Sequence, residues 1–258
     1  MYEDLKNEIL KLLSKQVRLD GRGPVDYREV FVEKGVSKNA EGSARVKIGD
    51  TEVIAGVKME VIKPYSDSPE DGSLMVNVEL TSLSSPEFEI GPPNIYAVEL
   101  ARITDRGIRE SKAIDTKKLC IKKGEAAWMI VIDVCTLNDA GNMFDAVALA
   151  ALAAIQDAVF PTYDVETGAI DYKKKTAEKI PISKTPVTVT VFKYGDSLVV
   201  DPTSEEEKVY DSRLTVSVLD NNNICSLQKG GDSAMTVEDT LSMIELAKQK
   251  SQELRSKL

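Results

Sequence analysis

Short runs of alternating apolar and polar residues constrain this chain more than any other feature. Residues 43–48, SARVKI, and 51–62, TEVIAGVKMEVI, repeat with the period of two that turns one face of a strand toward a core. Gly49-Asp50 between them suits a tight hairpin turn. The pattern returns in 187–201, VTVTVFKYGDSLVVD, with Gly195-Asp196 at the turn, and in 214–228, LTVSVLDNNNICSLQ, around an asparagine turn. Strands are also expected at 74–81, LMVNVELT, and on both sides of the Gly124-Glu125 turn within 118–137. Helical patterns occupy 1–16, 94–111 and 143–160. A last helix starts near Thr236, whose hydroxyl can cap it with Asp239 at the third position. Strands followed by helices in each half indicate an α+β class.

The expected organisation is a first half at 1–160, a polar, lysine-rich connection at 161–186 bounded by prolines, and a second half at 187–258. Lys47-Ile48-Gly49-Asp50-Thr51-Glu52-Val53-Ile54 is echoed by Lys193-Tyr194-Gly195-Asp196-Ser197-Leu198-Val199-Val200. The echo fits two related halves, and equally the recurrence of a common turn.

Several function classes drop out on composition. Histidine is absent, which removes Ser-His-Asp and Cys-His nucleophiles, histidine bases and histidine-ligated metals. Cys120, Cys135 and Cys225 are odd in number and lack metal or disulfide spacing, which fits a reducing cytoplasm. The first 16 residues are charged throughout, unlike a signal peptide. The alanine-rich run 143–160 is interrupted by Asp145, Gln156 and Asp157, so it reads as a buried helix and not a membrane span. A net charge of −9 argues against nucleic-acid binding by the surface as a whole, so any such site must be local.

One local exception stands out. On a helix over 94–111, Arg102, Arg106 and Arg109 share one face, with Leu100, Ile103, Gly107 and Ile108 mostly opposite. Residues 102–123 carry eight basic side chains against three acidic ones. An ordinary solvated face accounts for this too, because Glu99 with Arg102, Asp105 with Arg109 and Arg106 with Glu110 have helical ion-pair spacing. Phosphate recognition is the alternative that arginine's planar fork favours.

Three segments together resemble the RNase PH family, and within it the non-catalytic RNase PH-type subunits of the archaeal exosome. They are Arg18-Leu19-Asp20-Gly21-Arg22, Glu99-Leu100-Ala101-Arg102-Ile103-Thr104-Asp105-Arg106 with Arg109-Glu110-Ser111-Lys112-Ala113, and Leu137-Asn138-Asp139-Ala140-Gly141-Asn142. The resemblance implies an RNase PH-like fold of two related βα halves. It implies assembly with a catalytic RNase PH-type paralogue in a hexameric ring of three heterodimers, together with RNA-binding cap subunits. Single-stranded RNA is the ligand it implies, degraded 3′-to-5′ by phosphorolysis in the partner, with Arg102, Arg106 and more weakly Arg109 as RNA-binding residues.

Two departures from the active members of that family point to a non-catalytic chain needing no cofactor or metal. Where they bind phosphate with Gly-Ser-Arg at a helix start, this chain has Gly141-Asn142-Met143 and lacks the cation. Where they carry a catalytic aspartate, counting from Asp201 arrives at Arg213, which cannot act as an acid. A shifted alignment would put Asp211 there instead, leaving a self-sufficient phosphorolytic exoribonuclease as the alternative. Glu205, Glu206 and Glu207 are expected to form a solvated acidic loop and not a metal site.

Overall fold

The computed structural model describes residues 2–258. Met1, part of the first helical pattern, lies outside the described residues. Helix α1 (Tyr2–Leu13) precedes strands β1 (Val30–Lys34), β2 (Gly42–Ile48), β3 (Thr51–Ile62) and β4 (Ser73–Glu79). Helix α2 (Ile95–Glu110) and a 3₁₀ turn (Thr116–Leu119) lead to β5 (Cys120–Lys122), β6 (Ala126–Asn138) and helix α3 (Met143–Asp157). Then come β7 (Val159–Tyr163), β8 (Ile170–Lys179), β9 (Val187–Tyr194), β10 (Ser197–Val200) and the helical turn α4 (Ser204–Glu207). Strands β11 (Ser212–Val218) and β12 (Ile224–Gly230) and helix α5 (Val237–Arg255) complete the chain. No described helix is long and apolar enough to cross a membrane.

The first sheet runs β1-β2-β3-β6-β4, with β5 on β6, and the second runs β10-β9-β11-β12. Both Gly-Asp turns form hairpins as the alternation predicts, with Gly49 at φ 58° and Gly195 at φ 57°. The alternation is visible in β3, whose side chains are buried at every second position from Thr51 to Met59. Thr236 and Asp239 form the expected capping box of α5.

Helix α3 sits between the sheets and is buried on every side from Met143 to Ile155, packing on β2 and β3 and also on β9. Its alanines allow that approach: a Cβ added at Gly42 of β2 would lie 2.4 Å from the Ala154 carbonyl oxygen. One continuous apolar core therefore spans both halves, while α1 covers a smaller one with Ile9 and Leu13 against Phe192, Tyr194 and Val199.

The structure corrects one reading of the sequence here. Helix α3 ends at Asp157, because Pro161 disfavours helical backbone at the residue before it, and the chain turns into β7. Most of the stretch at 161–186 belongs to the β7–β8 hairpin.

Polar contacts at the start of α3 tie the halves together. Asp201 is fully buried, and its carboxylate accepts from Arg22 (2.8 Å), Arg28 (2.7 and 2.9 Å) and Asn142 Nδ2 (3.0 Å). Arg18, also buried, donates to the Val200 and Asp201 carbonyls and forms a bidentate pair with Glu206. The segment 18–22 is thus a clamp on the end of β10. Burial alone would raise the Asp201 pKa, but Arg28 and Arg22 hold it below the usual carboxylate range. Asp145 on α3 lacks a cation partner. Burial pushes it up to about 7 against the lowering effect of hydrogen bonds from Tyr27, Thr190 and Asn142.

Asp201→Asn removes the charge facing Arg22 and Arg28, and the cost expected in denaturant unfolding is about 3–5 kcal/mol. For Asp145 the folded pKa is raised, so the folded chain holds a proton that the unfolded chain has released between about pH 4 and 7. Its contribution to stability is full below about pH 4 and declines as pH rises to about 7, by up to about 1.4 kcal/mol per pH unit. Unfolding measured across that range should show a flatter pH profile for Asp145→Asn than for the wild type.

Candidate nucleic-acid interface

Helix α2 begins at Asn94, whose Oδ1 accepts the Ala97 N–H at 2.9 Å. Its inner face, Leu100, Ile103, Thr104, Gly107 and Ile108, is buried, and Arg102, Arg106 and Arg109 are exposed on the other. The three arginines share a face but differ in freedom. Arg109 pairs with Asp105 through two bonds (2.7 and 2.9 Å) and donates to the Leu74 carbonyl at 2.7 Å. Arg106 touches Gln228 at 3.1 Å. Arg102 has no hydrogen-bond or ion-pair partner among the described residues.

Of the three ion pairs that helical spacing offers, only Asp105–Arg109 forms. Glu99 turns away from Arg102 to Arg213 at 2.6 Å. Arg213 is 3% exposed on β11, with its guanidinium 3.9 Å above the Phe144 ring. A pair formed largely out of water outcompetes an exposed helical one, so Arg102 is left unpartnered.

At the start of α3, where an anion would seek free backbone N–H groups, one of the chain's own carboxyl groups is already in place. Asn142 has left-handed backbone (φ 59°), and its N–H donates to Glu207 Oε1 at 2.8 Å. Gly141 carries φ 94°, and a Cβ there would lie 2.4 Å from the Pro202 carbonyl oxygen, so only glycine lets α4 approach. The acidic run is therefore not a solvated loop. Thr203 caps it as a helical turn, Glu206 is buried on Arg18, Glu207 seals the start of α3, and Glu205 alone points outward to Lys208. Burial pushes Glu207 up to about 8, with Asp139 adding to the rise and the Asn142 N–H opposing it.

An adjoining cavity of about 420 Å³ is lined by the carboxyl groups of Glu87, Asp139, Glu205 and Glu207 and by two cations, Lys208 and Arg213. Even with Glu207 protonated its charge is wrong for phosphate. Asp211 stands elsewhere: Lys6 of α1 pairs with it and the Gly195 N–H donates to it at 2.6 Å, so it anchors α1 to the β9–β10 turn. Glu205, Glu206 and Glu207 do not converge as ligands, and among the described residues no group of three or more Asp, Glu or Cys side chains is arranged to hold a metal.

Glu207 and Glu99 are the site residues that the sequence did not disclose. The missing cation after Gly141 was a signal that the anion seat had changed, but nothing local showed what fills it.

Comparison with known proteins identifies the family. A model of the 3′ exoribonuclease family, domain 1, matches residues 26–161, and one of domain 2 matches residues 184–250. The exosome complex component Rrp42 of Pyrococcus furiosus is 42% identical over 253 residues, 97% of this chain and 91% of that protein. That of Methanothermobacter thermautotrophicus is 38% identical over 252 residues, 98% and 93% of the two chains. A chain from a solved Archaeoglobus fulgidus exosome with RNA bound to the active site superposes with a TM-score of 0.91 at 39% identity, covering 99% of this chain and 98% of that one. Rice Rrp46, at 19% identity and a TM-score of 0.68, shares the fold. The chain belongs to the RNase PH, or 3′ exoribonuclease, family.

Proposed function

We propose that this chain is the non-catalytic, structural and RNA-binding subunit of a cytoplasmic exosome ring. In this reading it supports 3′-to-5′ phosphorolysis by a catalytic paralogue. Three heterodimers make the hexameric ring, and RNA-binding cap subunits complete it.

The observation that carries the reading is the Glu207 carboxyl on the Asn142 N–H, beside a cavity whose carboxyl groups outnumber its cations. A chain that fills its own anion seat cannot position phosphate for attack on a phosphodiester. Arg213, at the position compared with the catalytic aspartate, is consumed by Glu99 and has no proton to give. Asp211, the basis of the self-sufficient alternative, is engaged by Lys6 of α1 and by the Gly195 N–H of the hairpin turn. The arginines of α2, by contrast, face outward, and the relatives similar over nearly the whole chain carry the name of an exosome component. RNA contact is assigned to Arg102 and Arg106 first. Arg109 is already occupied by Asp105 and the Leu74 carbonyl, and is the weakest of the three.

Three preparations test the division of labour: this chain, the catalytic paralogue, and their mixture, each given single-stranded RNA and phosphate. Nucleoside diphosphates are expected from the mixture and not from this chain, and robust release by this chain alone would refute the reading. Replacing both Arg102 and Arg106 with Gln should flatten the salt dependence of RNA affinity by about 1.4 log units per log unit of salt, at about 0.7 per phosphate contact. An unchanged slope would leave them a helix surface only. Glu207→Ala removes the acceptor of the Asn142 N–H, and amide hydrogen exchange at Asn142 should then be faster in the variant than in the wild type.

A further inference from the structure

Helix α2 ends on a second basic feature, which shares Arg109 with its arginine face. A cavity of about 600 Å³, within the size range of small-molecule sites, opens between its last turn, the 3₁₀ turn at Thr116–Leu119 and residues 181–184. Pro181 and Ile182, both half-buried, form an apolar floor with Leu74 and Ile108. Arg109, Lys112, Lys117, Lys118 and Lys184 stand around it against Asp71 and Asp115, an excess of three positive charges in a chain of net charge −9.

The internal bonding sorts these charges. Asp71 accepts from the Thr116 hydroxyl at 2.8 Å and Asp115 from the Lys117 N–H at 3.2 Å, so both acids are engaged. Lys184 holds the Ser111 carbonyl at 2.8 Å, and Arg109 is held by Asp105 and Leu74. The ammonium groups of Lys112, Lys117 and Lys118 have no partner among the described residues, and all three are exposed at the rim.

The backbone beneath Lys112 is a second, independent observation. The Lys112 N–H bonds to the Arg109 carbonyl (3.0 Å) and the Ala113 N–H to the Ile108 carbonyl (3.4 Å), the Schellman pattern of a helix end. That pattern puts its left-handed residue at Lys112, φ 51°, where glycine is the favoured occupant. A lysine there strains the backbone while standing at the mouth of a basic cavity, the combination that marks functional positions.

We propose that this cavity binds a nucleoside phosphate, with the base on the apolar floor and the phosphate on Lys112, Lys117 and Lys118. The unit is either a free nucleotide or one nucleotide of an RNA chain. The site goes beyond the role given to Arg102 and Arg106 and does not depend on it.

Titration of the full chain with ADP and with a short single-stranded RNA tests it, with inorganic phosphate, which leaves the floor empty, expected to bind more weakly than ADP. Lys117→Gln combined with Lys118→Gln removes two exposed charges and should weaken binding by about tenfold. Loss for ADP identifies a free nucleotide as a source and loss for RNA identifies the chain, and either supports the proposal. Lys112→Gly should raise Tm, because glycine relieves the left-handed strain, and at the same time weaken binding. A gain in Tm with unchanged affinity would make Lys112 structural and count against the site. The proposal is overturned if neither ligand binds the wild type, or if both bind all variants equally. It is also overturned if the lysine variants weaken only assembly with the catalytic paralogue, which would make this a protein contact. Replacing Arg102 and Arg106 with Gln should leave ADP binding unchanged, so failure of this site and failure of the arginine stripe read out separately.

Discussion

Asp201 is the point on which the architecture turns. It stands just after β10 with left-handed backbone, φ 50°, and its buried carboxylate meets Arg22, Arg28 and Asn142 at once. Buried ions cost several kcal/mol each unless every one finds its partner. The loop after α1, the end of the second half's hairpin and the start of α3 must therefore arrive together or not at all. Arg28 extends the same set to the Ala140 and Gly141 carbonyls, and Arg18 extends it to Glu206 on α4.

Holding α4 in place has a chemical consequence. Glu206 faces Arg18, and the next residue on the same turn, Glu207, reaches the N–H at the start of α3. A structural clamp and a closed anion seat are thus two faces of one short segment. With Arg213 drawn to Glu99, the interior spends its cations on its own carboxyl groups. Among those left unpartnered on the outside are Arg102 along α2, and Lys112, Lys117 and Lys118 at its end. An acidic protein can still offer phosphate a local welcome, because the screening length at physiological salt, about 8 Å, makes near charges count more than the net charge.

What could be read before the structure was local. The period of two in β3, the Gly-Asp turns, the Thr236 cap and the outward arginine face of α2 all depend on neighbours a few residues apart, and all four are present. The readings that needed correction lay where local rules conflict. Alanine continues a helix, yet Pro161 stops α3 short of it. A run of three glutamates reads as solvated, yet two of them turn inward.

By itself the sequence determined the α+β class, the absence of histidine chemistry, the resemblance to RNase PH-type chains and the placing of Arg102, Arg106 and Arg109 on one helical face. Only the tertiary structure decided which charges are spent and which are free. Glu99 has Arg102 three residues away and chooses Arg213, and Asn142 meets Glu207 across 65 residues of chain. Spacing along a helix says which groups can meet, whereas burial sets the strength of each competing pair, and burial exists only once the two halves have closed on α3.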